Sequence, residues 1–295
     1  MSGRHVLVLL IGVFAVSWAA PLIRAASDEG APVLLIAAMR LSLAAPPMMA
    51  LAAWRGLDDL RGLSRREWAL LVFAGAALAL HFALWVAAVQ RTSVLSGVVL
   101  VTMQPIFVAL GAWLVLRERP TREVLLGVSI AAAGALLLIS DDLGDAGSLL
   151  GNALALAGGV ASSAYFVAGR GARARLSTAS YSAVVYGVTA AVLVALAASA
   201  GTPVRGFPME AYLFIGAMAL VPQLIGHNAF NWALGSLPAA VVAVAILGEP
   251  VAAAAIAAVW LDEMPTPLEV AGGVIILVGV TVALRPGREA STASS

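Results

Sequence analysis

Two charged residues lie deep inside long apolar stretches of the sequence, Arg40 within Pro32–Trp54 and Glu249 within Pro238–Leu261. A charge among so many apolar residues is costly, and such residues usually serve a function. Arg40 could pair with the carboxylate of a bound molecule, or its side chain could lean toward the end of its helix and reach a polar surface. Glu249 directly precedes Pro250. There it could take up and release a proton, or remain a neutral acid that is hydrogen-bonded at a helix break.

The richest set of polar residues lies in the eighth of the long apolar stretches. Gln223, His227 and Asn231 follow each other at intervals of four residues, so a helix would place them on one face. Asn228 and Trp232 form a second pair at the same interval. Polar amides on an apolar span must face protein or water rather than lipid. They could join helices together, but three in register favour a cavity.

Other polar and aromatic side chains lie near the middle of apolar stretches, away from the ends where aromatic residues anchor membrane proteins. Aromatic and polar groups together suit a pocket for an amphipathic small molecule. The predicted substrate cavity therefore consists of Trp18, Arg40, His81, Trp85, Gln104, Tyr165, Gln223, His227, Asn228, Asn231 and Trp232, with Glu249 as the candidate coupling residue. His81 and His227 could instead be ordinary hydrogen-bonded histidines of the interior.

The composition excludes several other kinds of chemistry. The chain has no cysteine, so it has no disulfide, thiolate nucleophile or cysteine-ligated metal. All 17 basic residues are arginine, which excludes a Schiff-base lysine and a phosphate-loop lysine. A net charge of +1 argues against a nucleic-acid partner. Two histidines without nearby cysteines or carboxylates make a weak metal site, and no catalytic motif is present, so we expect no metal, no cofactor and no enzymatic activity.

Ten apolar stretches must position these residues, and each is about as long as the roughly 20 residues that cross a bilayer as a helix. The chain has 295 residues, of which 62% are hydrophobic and 11% charged; soluble proteins have about 45–50% apolar and about 25% charged residues. The stretches lack the alternation of barrel strands. We therefore predict an all-α integral membrane protein with ten transmembrane helices: Val6–Ile23, Pro32–Trp54, Trp68–Val89, Val94–Leu116, Val124–Ser140, Leu149–Gly169, Ala179–Ala200, Glu210–Leu234, Pro238–Leu261 and Leu268–Leu284.

The second half of the sequence repeats the first. At an offset of 145 residues, Pro105 aligns with Pro250 and Gln104 with Glu249. The two prolines are predicted to break equivalent helices, as hinges or as static kinks. The offset also pairs Glu118, Pro120, Thr121, Gly127 and Gly134 with Glu263, Pro265, Thr266, Gly272 and Gly279, and an offset of 146 pairs His81 with His227. We expect five-helix repeats at residues 1–143 and 144–286, followed by a disordered cytoplasmic tail at 287–295.

The arginines indicate that the two repeats are inverted. With five helices in each repeat, the second must enter the membrane from the opposite side. If both termini are cytoplasmic, thirteen arginines lie in inner segments and three in outer segments, as expected for cytoplasmic loops. The loop at residues 117–122 contains three arginines, and its aligned copy at 262–267 contains none. Inverted repeats of this kind are typical of secondary transporters that work by alternating access around a central site.

Glycines form small faces on two of the predicted helices. Gly127 and Gly134 lie on the fifth, and Gly272, Gly273 and Gly279 lie on the tenth. Small faces allow helices to approach closely. Either the two halves pack together through these faces, or the faces form a homodimer.

Three segments resemble a known family: Ala37–Leu41 around Arg40, and the paired segments Pro105–Thr121 and Pro250–Thr266, each followed by a glycine-rich helix. The chain is similar to EamA-type members of the drug/metabolite transporter superfamily, and closely resembles their bacterial exporters of amino acids, including aromatic ones. The resemblance implies an inner-membrane exporter with both termini in the cytoplasm. It also implies a small-molecule substrate and a central cavity lined by helices other than the fifth and tenth.

Two alternative functions are also compatible with the sequence. A drug or nucleotide-sugar carrier of the same fold is possible, although a pyrophosphate ligand should need several cavity cations and Arg40 is the only one inside a span. The alternative from another class is a membrane scaffold that transports nothing.

Overall fold

The computed structural model of the chain describes residues 3–107, 122–138, 140, 145–173, 175–233, 235, 237 and 245–283. All regular elements among these residues are helices, which confirms the all-α prediction for them. Glu118, Pro120, Thr121, the expected repeat boundary at residues 143–144 and the tail at 287–295 lie outside the described residues. The helices are α1 (Gly3–Ser17), α2 (Ala19–Asp28), α3 (Val33–Arg55), α4 (Asp58–Arg61), α5 (Arg65–Val89), α6 (Val94–Val101), α7 (Arg122–Leu138), α8 (Ala146–Arg173), α9 (Thr178–Ser199), α10 (Met209–Met218), a π-helical segment (Ala219–His227), α11 (Asn228–Ala233), α12 (Glu249–Trp260) and α13 (Pro267–Ala283).

Six helical stretches are long and apolar enough to cross a membrane, and they match the first, second, third, sixth, seventh and eighth predicted spans. They are Gly3–Asp28, Val33–Arg55, Arg65–Val89, Ala146–Gly169, Thr178–Ser199 and Met209–Ala233. The described parts of the fourth, ninth and tenth predicted spans are shorter apolar helices, Val94–Phe107, Glu249–Trp260 and Pro267–Ala283. Helix α7 coincides with the fifth. The chain is therefore a helical membrane protein, while the number of ten spans stays a prediction.

Serine side chains fix where three of the helices begin. Ser64 accepts a hydrogen bond from the backbone N–H of Glu67 at the start of α5, and the Glu67 carboxylate accepts one from the Ser64 backbone in return. Ser93 and Ser177 cap α6 and α9 in the same way, through the backbone N–H three residues later. These bonds satisfy N–H groups that the first turn of a helix leaves without a partner.

The short helix α4 holds the beginning of α9. The Asp59 carboxylate accepts hydrogen bonds from the Ser177 backbone N–H at 2.9 Å and from the Ser180 hydroxyl at 2.8 Å. Partial burial acts to raise the pKa of Asp59, but these hydrogen bonds outweigh it and hold the pKa below its usual value. The loop between α3 and α5 is thereby fixed to the second half of the chain.

Helices of the first half pack mainly against helices of the second half. Helix α3 lies along α9, α5 along α8, and α7 along α13. The first span, α1 with α2, packs against the eighth, which consists of α10, the π-helical segment and α11. Helix α6 of the fourth span contacts α12 of the ninth. The two halves therefore share one core instead of forming separate domains.

The fourth and ninth spans are interrupted at equivalent positions. Helix α6 ends before a turn at residues 102–103, and a turn at residues 247–248 precedes α12. These turns are separated by the repeat offset of 145 residues, and each precedes a proline, Pro105 or Pro250, by two residues. A proline ring has no N–H to donate and clashes with the preceding helical turn. The predicted breaks are therefore present, whereas movement about them stays a prediction.

The glycine faces of α7 and α13 pack directly against each other. A Cβ atom added at Gly134 would lie 2.8 Å from the backbone oxygen of Gly272, and one added at Gly279 would lie 2.5 Å from the backbone nitrogen of Ala131. Such distances leave room only for hydrogen, so the backbones of the two helices are in contact. The two predicted roles were packing of the halves and formation of a homodimer, and these glycines pack the halves together within one chain. A homodimer stays a prediction, but it would have to use another face.

Candidate substrate-binding site

A cavity of about 50 Å³ lies among six of the spans. Its described walls come from spans one, three and four of the first half and from spans six, eight and nine of the second. No described residue of α7 or α13 contributes to it. Equivalent spans of the two halves thus build one cavity. The residues that line it are Val16, Ala19, His81, Trp85, Val101, Thr102, Gln104, Ser162, Phe166, His227, Phe230, Ile246 and Glu249.

Arg40 is fully buried beside this cavity, with a relative exposure of 0%. Its Nε donates a hydrogen bond to Gln223 Oε1 at 2.9 Å. The guanidinium carbon lies 4.3 Å from the centre of the Phe82 ring and 5.9 Å from that of Trp85, which places the cation over aromatic faces. The alternative that Arg40 reaches the membrane surface is therefore wrong, because the side chain is bound at the centre of the helix bundle.

Several buried donors near Arg40 have no acceptor. The two terminal guanidinium nitrogens of Arg40, the Gln223 amide nitrogen and the Trp85 indole nitrogen form no hydrogen bond with any described residue. Among the described residues Arg40 also forms no ion pair. The Tyr186 hydroxyl donates its hydrogen to Asn228 Oδ1 at 3.3 Å, and its oxygen interacts with Gln223 and Arg40, without reaching hydrogen-bond geometry to the nitrogens named above. The centre of the bundle therefore presents unpaired donors and an unpaired positive charge.

The two predicted histidines lie on the same cavity, and Phe82 lies beside both. His81 Nδ1 is 2.9 Å from the backbone oxygen of Gly158, and because a carbonyl oxygen only accepts, Nδ1 must carry the hydrogen. The His81 ring stacks on Trp85 with centroids 5.9 Å apart. The edge of Phe82 meets His227 at 5.8 Å. Within the described ranges, no group of three or more His, Asp or Glu side chains could hold a metal ion.

Gln104 and Glu249, aligned in the repeat, both line the cavity but differ in their bonding. Gln104 Oε1 accepts a hydrogen bond from the Ser162 hydroxyl at 2.6 Å, and its backbone oxygen accepts one from Ser163 at 2.9 Å. The backbone oxygen of Glu249 accepts a weak hydrogen bond from Ser17 at 3.4 Å. No described residue donates a hydrogen bond to the Glu249 side chain, although Arg40 lies close enough to interact with it electrostatically.

The two predicted asparagines join helices and are not among the described residues that line the cavity. Asn228 Oδ1 accepts hydrogen bonds from the Ser182 hydroxyl at 2.8 Å and from Tyr186. The Tyr165 hydroxyl donates to Asn231 Oδ1 at 3.2 Å, and the Asn231 amide donates to Ser182 at 3.4 Å. This network connects α11 with α8 and α9 next to the cavity.

Two predicted tryptophans lie apart from the cavity. Trp18, at the turn between α1 and α2, packs against Trp260 with ring centroids 5.7 Å apart. Trp232 lies 5.4 Å from the ring of His5 near the N-terminus, with the Arg4 guanidinium 5.3 Å above it. Neither is among the residues that line the cavity.

Sequence reasoning missed three residues close to Arg40 and Gln223. Phe82 supports the guanidinium, while Tyr186 and Ser182 orient the neighbouring amides. A position well inside an apolar stretch was a usable signal for Phe82 and Tyr186, whereas Ser182 lies only three residues after the start of its stretch. Nothing in their spacing indicated that they would face Arg40, because that depends on how α5 and α9 pack against α3.

Hydrogen bonds and an ion pair tie the spans together at one end of the bundle. Arg24 donates a hydrogen bond to the backbone oxygen of Thr92, and its Nε lies 3.5 Å from the Glu263 carboxylate. Glu263 also accepts a hydrogen bond from the backbone N–H of Val94 at the start of α6. Glu269 accepts hydrogen bonds from the hydroxyls of serines in the first turn of α6 and its cap. The first, fourth, ninth and tenth spans are thus linked at this end.

Comparisons with known proteins agree with this architecture. The EamA-like transporter family matches residues 3–140 and again residues 149–285. The Bacillus subtilis protein named "Uncharacterized transporter YwfM" is 26% identical over 281 residues, which cover 92% of this chain and 91% of that protein. A "Probable terminal-alkyne amino-acid exporter" of Streptantibioticus cattleyicolor is 30% identical over 203 residues, or 65% of this chain and 66% of that protein.

A solved structure described only as "Crystal structure of protein" covers the whole of both chains with a TM-score of 0.68 at 20% identity, which shows a shared fold. The family found in both halves is one of transporters rather than enzymes. This chain belongs to the EamA-like transporter family.

Proposed function

We propose that the chain is a secondary transporter that exports amino acids or related small metabolites from the cytoplasm across the bacterial inner membrane. The observation that carries this proposal is the cavity, because equivalent spans of the two halves line it. In secondary transporters with inverted repeats, the halves rock against each other around a site of this kind, which then faces each side of the membrane in turn. Alternating access is the proposed mechanism.

Three features support an inverted repeat. The helix contacts are unchanged when the two halves are exchanged. The pair α3–α9, from the second and seventh spans, and the pair α7–α13, from the fifth and tenth spans, each become the same pair again. The pair α5–α8, from the third and sixth spans, becomes the pair formed by the eighth and first spans. The helix breaks are 145 residues apart. The arginine distribution favours an orientation with both termini in the cytoplasm.

The cavity is smaller than a binding site for an amino acid, so the proposed mechanism requires it to widen. A cavity of about 50 Å³ holds a few water molecules, since one water needs roughly 10–15 Å³. Pockets for small molecules measure about 300–1,000 Å³. The spans around the cavity must therefore separate before an amino acid can enter, and the prolines of the fourth and ninth spans are the proposed hinges.

The chemistry of the walls favours an amphipathic cargo over the alternatives. Trp85, Phe166 and Phe230 supply aromatic surface, while Gln104 and Glu249 supply polar groups. The amino-acid exporter named among the relatives adds weight to an amino acid. A nucleotide sugar is disfavoured because its phosphates need several cations, and the spans contain only Arg40. A scaffold has no use for a polar cavity with unpaired donors.

The test is efflux from proteoliposomes that contain the full chain. Vesicles loaded with radiolabelled amino acids should release at least one of them faster than empty vesicles, and an imposed pH gradient shows whether protons are coupled. Release of drugs or nucleotide sugars but of no amino acid would favour the alternative carriers. If no solute in such a panel moves, the chain is a scaffold.

A matched pair of variants in the eighth span tests the position of the pathway. His227 lines the cavity, whereas Trp232, five residues later, packs near the N-terminus. His227→Leu should reduce efflux about tenfold, equivalent to about 1.4 kcal/mol, and Trp232→Leu should retain most of it. Thermal unfolding of each purified variant must show that it is folded. The opposite order of effects would place the pathway elsewhere.

A further inference from the structure

The buried donors around Arg40 lack an acceptor of the opposite charge. Within the described part of the chain, four nitrogen atoms of Arg40, Gln223 and Trp85 have no hydrogen-bond partner, and all are shielded from solvent. Leaving a buried donor unpaired is unfavourable, more so when it carries a charge. Arg40 is fully buried and has no ion pair among the described residues. A set of donors with a net positive charge is complementary to an anion.

The geometry of Arg40 favours a carboxylate among anions. Gln223 Oε1 binds the Nε hydrogen at 2.9 Å and so fixes the side of the guanidinium nearest the chain. The outer edge, with both terminal nitrogens, is left free. Two parallel N–H donors match the two oxygens of a carboxylate. The NH₂ of the same Gln223 amide has no acceptor among the described residues, and Trp85, whose ring centre lies 5.9 Å from the guanidinium carbon, lines the cavity.

Glu249 supplies the complementary charge on the cavity wall. No described residue donates a hydrogen bond to its side chain, and Arg40 lies within electrostatic range but not at ion-pair distance. Each of these two groups therefore lacks an ion-pair partner among the described residues. A molecule with an ammonium next to a carboxylate would give each of them a partner.

We infer that Arg40, Gln223 and Trp85 bind the carboxylate of the cargo and that Glu249 binds its ammonium, so that the site selects free α-amino acids as zwitterions. This inference rests on the proposed transport function and names the cargo chemistry of the same site. For the cargo to reach Arg40, the Phe82 and Trp85 rings must move away from the two terminal guanidinium nitrogens as the cavity widens.

Electrostatics inside a membrane adds to this selectivity. A zwitterion brings no net charge, so the pair of Arg40 and Glu249 stays balanced in the loaded site. A simple amine or a simple carboxylic acid would leave one of the two charges without a partner, which is unfavourable in a membrane interior. The apolar part of the cargo would then lie against the aromatic wall formed by Trp85, Phe166 and Phe230.

Binding to the purified full chain tests the inference with two families of probes. L-phenylalanine is compared with hydrocinnamate, which lacks the ammonium, and with phenethylamine, which lacks the carboxylate. L-leucine, isocaproate and isoamylamine form the second family. At least one amino acid should bind about tenfold or more tighter than both of its analogues, because each analogue leaves a buried charge unpaired.

Variants should change this preference in opposite directions. Glu249→Gln should weaken binding of the amino acid and raise the relative affinity for the analogue that lacks the ammonium. Arg40→Gln should raise the relative affinity for the analogue that lacks the carboxylate. A role in folding alone cannot reverse ligand preference. Because Arg40→Gln could fail to fold, Trp85→Phe is the milder test: it removes one donor, and should weaken amino-acid and acid binding about threefold to tenfold without affecting the amine. Trp18→Phe, outside the cavity, is the matched control.

Three results would overturn the inference. The first is equal binding of an amino acid and either analogue. The second is unchanged amino-acid affinity in Trp85→Phe. The third is stabilisation of the protein by chloride that competes with the amino acid and is lost in Trp85→Phe, which would make the site a halide site. If vesicles export another class of solute and no amino acid binds, the inference fails while transport stands; if nothing is exported, the proposed function fails first.

Discussion

The contact between α7 and α13 can be tested with one added methyl group. In Gly279→Ala, the Cβ atom would lie 2.5 Å from the backbone nitrogen of Ala131 and 2.7 Å from the backbone oxygen of Gly127. Ordinary contacts begin at 3.4 Å, so the helices must move apart by 3.4 minus 2.5, or about 0.9 Å. Because the facing atoms are backbone, no side-chain rotation can relieve the overlap.

The expected loss of stability follows from that displacement. A gap of about 0.5–1 Å removes a quarter to a half of each dispersion contact along the interface, and overpacking costs about 1–3 kcal/mol. We expect about 2 kcal/mol, which corresponds to a fall in Tm of about 3 °C for a chain of this size, because the entropy of unfolding is about 2.1 cal/mol/K per residue. The measurement is thermal unfolding in detergent, followed by circular dichroism at two protein concentrations.

Gly216 in α10 provides the matched control. A Cβ atom added there meets nothing within 4 Å, and alanine is favoured over glycine in a helix by about 1 kcal/mol. Gly216→Ala should therefore leave the Tm unchanged or raise it. An unchanged Tm in Gly279→Ala would refute the close packing of α7 and α13. Destabilisation that disappears at high protein concentration would indicate that this face contacts a second copy of the chain.

Three further predictions concern the hinges, the coupling residue and the α9 cap. Replacing both Pro105 and Pro250 by alanine should slow turnover more than it weakens substrate binding, and unchanged efflux kinetics would make the breaks static. Glu249→Gln should abolish the pH dependence of efflux, and a retained dependence would remove Glu249 from coupling. Asp59→Asn should lower stability at neutral pH by about 1 kcal/mol, because the amide keeps only one oxygen to accept the two hydrogen bonds from Ser177 and Ser180. Because the pKa of Asp59 is lowered in the folded protein, its contribution to stability is present above the unfolded-state pKa and is lost as the pH falls through the folded-state pKa. If acid lowered the Tm of the wild type and of Asp59→Asn equally, this prediction would be contradicted.

The positions of the helices could be predicted from the sequence because apolar length decides what crosses a membrane. Six predicted spans are confirmed by helices of sufficient length. The prolines also indicated the breaks to within a few residues, since proline removes the same backbone hydrogen bond wherever it occurs. The snorkelling alternative for Arg40 failed because depth along a helix does not reveal that a partner such as Gln223 lies opposite.

The composition of the site was harder to predict because spacing along one helix does not fix its partners. Gln223, His227 and Asn231 were expected on one face, and they do point into the bundle. They nevertheless meet different groups: Arg40, the cavity and Tyr165. The eighth span is π-helical over Ala219–His227, which changes the register of an α-helix. Trp232 lies beyond this segment and faces the N-terminus instead of the cavity.

In two pairs of repeat-related residues at the site, the side chain of one member is hydrogen-bonded to a described residue and that of the other is not. At the offset of 145 residues Gln104 is the counterpart of Glu249, and at 146 Trp85 is the counterpart of Asn231. Gln104 and Asn231 are bound by neighbouring hydroxyl groups, whereas no described residue binds the carboxylate of Glu249 or the indole N–H of Trp85. In each pair, therefore, one copy holds helices together, and the other is the one that the proposed site uses to bind a ligand. A transporter that kept both copies bound would have no group free for its cargo, and one that kept neither would lose the contacts that hold its halves in register.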